Sequence, residues 1–109
     1  MILCCGEALI DMIEGDGAFT PHVGGAVFNT ARALGRLEQD VGFLSGLSTD
    51  MFGAQLQDAL HASNVDTSHV IFSDRPTTLA FVQLSGGNAT YTFYDENTAG
   101  RSLDLANLP

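Results

Sequence analysis

The sequence contains no lysine; its basic side chains, histidine aside, are Arg32, Arg36, Arg75 and Arg101, set against 13 acidic residues. A net charge of −9 offers no basic surface for a phosphate backbone, which excludes nucleic acid as a partner and disfavours an anionic membrane. The missing lysine also excludes a Walker phosphate loop, which needs Gly-Lys-Ser/Thr at a helix start. No apolar run approaches the roughly 18 residues of a membrane span, and Met1 leads straight into Ile2, Leu3, Cys4 and Cys5 without a charged leader, so the expected location is the cytoplasm. Cysteine is scarce. Cys4 and Cys5 are adjacent, where a disulfide would be strained, so they read as reduced thiols on a buried strand. His22, His61 and His69 lack metal-ligand spacing, and no metal site is expected. Charged residues make up 16% against 45% hydrophobic ones, so these 109 residues form one modest core and should bury further surface against something else.

What is present alternates. Met1 to Cys5 is a short apolar run closed by Gly6, the mark of a buried strand. Ala8–Glu14 and Ala18–Val23 flank Gly15, Asp16 and Gly17 as a hairpin, with Pro21 placing the returning strand at an edge. From Ala26 to Leu37 the spacing of Val27, Ala31 and Leu34 predicts an amphipathic helix. Val41–Leu44, closed by Ser45 and Gly46, is the next strand. Asp50 then caps a helix that turns Phe52, Leu56, Ala59 and Leu60 inward, and Asn64 ends it. Val70–Ser73 is a third central strand, which completes the signature of a parallel sheet with crossover helices.

The alternation then breaks. Thr77–Ser85 and Ala89–Glu96, joined by Gly86, Gly87 and Asn88, predict a second hairpin in place of another helix. Together the hairpins should form a small antiparallel sheet, with Tyr91 and Phe93 on one face and Thr90, Thr92 and Tyr94 on the other. Such a sheet needs a covering partner: the mouth of the parallel domain, a ligand, or the same sheet of a second subunit. Ser102 to Pro109 starts an amphipathic segment whose partner is missing, and three parallel strands leave an open edge. Both features predict that the chain is part of a larger unit.

Few residues invite chemistry. Gly24 and Gly25 precede the first helix, where missing side chains would let a ligand reach amides at its positive end; a tight turn is the plainer reading. The dinucleotide fingerprint does not fit, because a hairpin separates these glycines from the first strand. Asp11 lies among apolar residues, where a carboxylate is costly unless strong donors such as sugar hydroxyls surround it. Alternation pointing Asp11 to solvent is the plainer reading. Asn29, in the first turn or so of the helix, could donate and accept at the same ligand or simply face water. A nucleophile elbow is absent, so no hydrolase is expected.

Gly6-Glu7-Ala8-Leu9-Ile10-Asp11, then Gly24-Gly25-Ala26-Val27-Phe28-Asn29-Thr30-Ala31, then Gly46-Leu47-Ser48-Thr49-Asp50-Met51-Phe52-Gly53 resemble, in order and spacing, the PfkB or ribokinase family of carbohydrate kinases, and most closely a fructokinase. The resemblance spans the whole chain but only the N-terminal portion of a full member. It implies the N-terminal part of a ribokinase-like three-layer α/β/α domain, with a β lid from about 8–23 and 77–96 inserted into an α/β part at 1–6 and 24–76. It implies substrate contacts by Asp11, Gly24, Gly25 and Asn29, an aromatic contact near Phe93 from the lid, and a homodimer through packed lids.

The complete enzyme would use ATP and Mg2+, with an aspartate base in a Gly-Ala-Gly-Asp motif. That motif does not occur here, and Gly100-Arg101-Ser102 does not replace it, so no catalytic residue is assigned. Nucleotide binding and phosphoryl transfer fall to a C-terminal remainder, and this portion alone should bind no ATP. Relatives acting on 2-keto-3-deoxygluconate tend to place an arginine near Asp95 to hold the acid's carboxylate. An aspartate would repel that group, which favours a neutral sugar: fructose first, then ribose or another furanose. The rivals are a non-catalytic sugar-binding or oligomerisation fragment, within the family a ribokinase or 2-keto-3-deoxygluconate kinase, and outside it a Rossmann domain with affinity for NAD.

Overall fold

The computed structural model describes residues 1–109, apart from the side chain of Leu105. Strand β1 (Ile2–Cys5) is followed by a hairpin of β2 (Leu9–Gly15) and β3 (Ala18–Gly24), helix α1 (Ala26–Arg36), β4 (Val41–Leu44), β5 (Gly46–Ser48), helix α2 (Met51–Ala62), β6 (Ile71–Ser73) and a hairpin of β7 (Leu79–Ser85) and β8 (Asn88–Tyr94). Two short 3-10 turns, Ala99–Arg101 and Leu105–Asn107, follow. The amphipathic reading of the last eight residues rests partly on Leu105, whose side chain lies outside the described residues. Among the described residues no helix is long and apolar enough to cross a membrane.

The central layer is parallel, with β1 pairing to β4 and β5 pairing to β6. Residues 41–48 are buried throughout, so the strand predicted to stop at Leu44 resumes after Ser45. Gly46 there is a packing glycine rather than a terminator, since any Cβ at that position would overlap the carbonyl of Ala99. Helices α1 and α2 lie beside each other on this layer. The buried face of α1 is Phe28, Ala31 and Gly35: it keeps Ala31 of the expected stripe and takes Phe28 and Gly35 in place of Val27 and Leu34. Val27 and Leu34 flank it, half-buried. Phe28 meets Phe43 edge to face at 5.9 Å, and with Val41, Leu47, Leu56 and Leu60 they form the core. Each such side chain contributes about 1.5–3 kcal/mol by leaving water.

Helix α2 begins as predicted, with Asp50 Oδ1 accepting from the Gly53 N–H at 2.8 Å. Just past its end Asn64 takes the left-handed region, φ 60, a conformation asparagine tolerates better than most residues.

The two hairpins join into one four-stranded sheet in the order β3-β2-β7-β8. Pro21 sits on β3, an edge strand, where its missing N–H costs no ladder bond. Both hairpins turn through two residues with positive φ, Asp16 and Gly17 in the first and Gly86 and Gly87 in the second, as type I′ turns require. The sheet is mixed, not antiparallel as the hairpin signals imply, because its central strands β2 and β7 run parallel. Each hairpin sends its outgoing strand away from the parallel layer in the same direction, and the whole α/β segment between them serves as the crossover.

Candidate functional site

Strand order decides which side chains meet. Paired residues on neighbouring strands share a face, and the registers Asp11↔His22, Asp11↔Ala80 and Ala80↔Phe93 set His22, Asp11, Ala80 and Phe93 in one row across the sheet. Two strand spacings separate Asp11 from Phe93, about 10 Å. The opposite face carries Ile10, Met12, Val23 and Leu79 onto the core. The sequence alternation that could have sent Asp11 into solvent leaves it half-buried instead.

Gly24 explains where the carboxylate lies, because any Cβ at that position would overlap Asp11 Oδ2. Burial pushes the Asp11 carboxyl above its ordinary value, and the neighbouring His22 offsets this in part. No hydrogen bond contributes to that balance. Gly25 has a different task. Its φ is +112, and a Cβ there would sit 2.8 Å from the Glu7 carbonyl oxygen, a conformation and a contact that only glycine accepts.

Glu7, which the sequence reading passed over, locks this junction. Its Oε1 accepts hydrogen bonds from the N–H groups of Ala26 at 2.8 Å and Val27 at 3.4 Å, so a carboxylate from the β1–β2 connection caps α1 in place of a local N-cap side chain. The amides thought to be open to a ligand at this helix start are therefore occupied at Ala26 and Val27. A signal was available in the lone acid between Gly6 and Ala8, but its partner lies 19 residues away. Asn29 follows in the first turn, its N–H bonded to the Gly25 carbonyl at 2.8 Å and its side chain exposed. Asp11, Gly24, Gly25 and Asn29 are thus gathered around one strand-to-helix junction.

Phe93 stands apart from that group. It is 61% exposed, stacks on Tyr91 at 6.1 Å, and lines a cleft of about 640 Å3 together with Cys5, Glu7, Leu9, Thr78, Asp95 and Arg101. That volume falls within the roughly 300–1,000 Å3 of small-molecule sites. Asp11, Gly24, Gly25 and Asn29 do not line this cleft, which adjoins their junction through Glu7, the cap of α1, and Leu9, the register partner of Gly24.

Two further carboxylates tie the second hairpin down. Asp50, beyond capping α2, accepts from the Thr77 N–H at 3.0 Å and the Thr77 hydroxyl at 2.7 Å. Asp95 accepts the hydroxyls of Thr78 at 2.6 Å and Thr98 at 2.8 Å on Oδ1, and Arg101 Nε at 2.9 Å and Nη2 at 2.7 Å on Oδ2. Burial would raise both acids, yet their hydrogen bonds outweigh it and hold both below the usual carboxylate range. Asp95 accordingly does not present the bare repelling charge that the sequence suggested. His61 Nε2 lies 3.0 Å from the Thr67 hydroxyl, a local structural contact. Among the described residues no cluster of His, Cys, Asp and Glu could hold a metal ion.

The model of the pfkB family carbohydrate kinases matches residues 1–107. A fructokinase of Rhizobium leguminosarum bv. trifolii is 54% identical over 114 aligned residues, covering 100% of this chain and 35% of that protein. The structure of a Xylella fastidiosa fructokinase with bound ATP superposes with a TM-score of 0.92 at 35% identity, over 99% of this chain and 37% of that one. A Vibrio cholerae fructokinase bound to fructose, ADP and calcium ion gives 0.86 at 28% identity, over 99% and 36%. The chain spans about a third of the length of the relatives it matches, and over that span it shares their fold.

Proposed function

The chain belongs to the pfkB family of carbohydrate kinases, and from that premise we propose that it is the sugar-binding and lid portion of an ATP-dependent kinase that phosphorylates a hydroxyl of fructose. In this reading Asp11 accepts two sugar hydroxyls, Asn29 donates and accepts beside it, Gly24 and Gly25 keep the approach free of side chains, and Phe93 covers the sugar from the β7–β8 hairpin. The supporting observation is the state of Asp11. It is half-buried, raised by that burial, and free of hydrogen bonds among the described residues, so hydroxyl donors from a polyol would offset its desolvation.

ATP and Mg2+ supply the phosphoryl group and its charge neutralisation in such a kinase. The described residues here do not suit a triphosphate, because the N-termini of α1 and α2 already carry the Glu7 and Asp50 carboxylates. We assign the nucleotide to the remainder of the enzyme. Exposed Leu84 and Tyr91, on one face of the β7–β8 hairpin, support a homodimer through the lids, and the free thiols Cys4 and Cys5 suit the cytoplasm.

Substitution of Asp11 tests the reading. In the complete kinase Asp11→Ala should lower kcat/KM for fructose at least tenfold, the lower end of the ~1.5–3 kcal/mol of a hydrogen bond to a charged group. An unchanged value would remove Asp11 from the site. Fructose binding by calorimetry without turnover in any assembly would favour a non-catalytic sugar-binding fragment.

A further inference from the structure

Of the three histidines, His61 bonds the Thr67 hydroxyl and His69 lies beside Asp66 in the connection between α2 and β6. His22 is placed differently. It stands on β3 directly opposite Asp11, and cross-strand partners hold their Cβ atoms about 4.5–5.5 Å apart. Beyond Thr20 and Gly24 on the same strand, the neighbouring residues on that face are Leu9, Ile13, Ala80, Val82, Tyr91 and Phe93. Asp11 and His22 are thus two adjacent polar groups in a largely apolar surround, the composition that small-molecule sites show.

The fold does not use the imidazole. The ion pairs among the described residues are the Met1 amine with Asp40 and Arg101 with Asp95, so His22 and Asp11 do not join each other. Asp11 Oδ2 lies instead over Gly24, two residues along β3 from His22 and on the same face, about 7 Å by strand geometry. Among the described residues the histidine with a side-chain hydrogen bond is His61; His22 is exposed and has none.

We propose that His22 is a further substrate-binding residue, whose imidazole exchanges a hydrogen bond with a sugar hydroxyl beside those held by Asp11. The inference rests on the reading of Asp11 as the acid that binds the sugar. A neutral imidazole offers one donor and one acceptor, so it complements a carboxylate, which only accepts. A polyol seated on Asp11 carries further hydroxyls around its ring, and one turned towards β3 meets His22 before it meets solvent.

The test is a residue-by-hydroxyl cycle in the complete kinase, with binding of D-fructose and its singly deoxygenated analogues measured by calorimetry for the parent, His22→Ala and His22→Gln. His22 is exposed, so both variants should keep the fold. His22→Ala should weaken fructose binding about two- to tenfold, the worth of one neutral hydrogen bond, and glutamine, which also donates and accepts, should restore much of the loss. One deoxy analogue should bind the parent and His22→Ala alike, because the hydroxyl it lacks is the one His22 holds. Unchanged fructose affinity in His22→Ala overturns the proposal. So does a loss of equal size for fructose and every analogue, the mark of an indirect effect. Asp11→Ala runs alongside: if it weakens fructose binding and His22→Ala does not, Asp11 keeps its assignment and His22 loses its own. No fructose binding by the parent, or binding indifferent to both substitutions, removes the sugar from this face altogether.

Discussion

Glu7→Ala probes the junction on which the site depends. The substitution removes an acceptor from two helix-start amides, one at 2.8 Å and one at 3.4 Å, so the first bond carries most of the effect. Loss of a capping acceptor costs about 1 kcal/mol in proteins, and loss of a carboxylate from the positive end of a helix adds about 0.3–1 kcal/mol, reduced here because Glu7 is exposed. The expected destabilisation is about 1–1.5 kcal/mol, or a fall in Tm of roughly 5–10 °C for a domain of this size. Glu7→Gln keeps an acceptor and loses the charge, so it should fall about half as far. Added salt should narrow the gap between the two variants by screening the dipole interaction. Calorimetric melting of the three proteins at low and high salt measures this. A Glu7→Ala protein melting within about a degree of the parent would mean that water caps α1 equally well, and that the link from the β1–β2 connection to Asn29 is incidental.

Asp50→Ala should be more damaging, by about 2–4 kcal/mol in urea unfolding, because it removes the α2 cap and orphans the buried Thr77 N–H and hydroxyl. Gly25→Ala should cost about 1–3 kcal/mol, since alanine must adopt φ near +112 and its Cβ would meet the Glu7 carbonyl; a neutral result in the same assay would show that the junction relaxes. The acid limb of stability has a definite sign. Asp50 and Asp95 are both held below the ordinary carboxylate value, so the stability they add is complete above about pH 4 and is lost as pH falls through their lower folded values. Urea midpoints followed from pH 6 to pH 2 should decline over that lower range, and less steeply in Asp50→Ala than in the parent; identical slopes would contradict the assignment.

Local chemistry made most of the fold legible. The Asp16-Gly17 and Gly86-Gly87 turns, the Asp50 cap and the Asn64 stop are interactions within a few residues, so propensity and spacing reveal them. What escaped depends on distant partners. The parallel pairing of β2 with β7 joins segments some 70 residues apart in sequence, and nothing in either hairpin signals its direction relative to the other. Gly46 read as an ending because the carbonyl that requires it belongs to Ala99. Family resemblance singles out the candidate site residues one by one but not the local task of each glycine: Gly24 admits a side chain from β2, whereas Gly25 admits a backbone carbonyl. Asp95 was read as a repelling charge because its partner Arg101, six residues on, becomes its neighbour only through the turn at Ala99–Arg101.

The chain's hydrogen-bonded carboxylates make the argument for Asp11 by contrast. Glu7, Asp50 and Asp95 each collect two to four donors and bind one segment to another, and where the balance is resolved, at Asp50 and Asp95, those bonds hold the acid ionised. Asp11, beside Gly24, is more desolvated than a surface acid and collects none among the described residues. Structural duty does not explain it, because an alanine would pack against Gly24 with less electrostatic cost. The sign of its shift makes the contrast testable on the folded state alone. A carboxyl raised by folding lowers stability at neutral pH, and that loss is relieved as pH falls through its folded value. Asp11→Asn should therefore leave the protein at least as stable as the parent at pH 7 while weakening fructose binding, the opposite pattern to Glu7 or Asp50. A clear loss of stability in Asp11→Asn would place this residue among the structural acids and remove the physical reason for assigning it to a sugar.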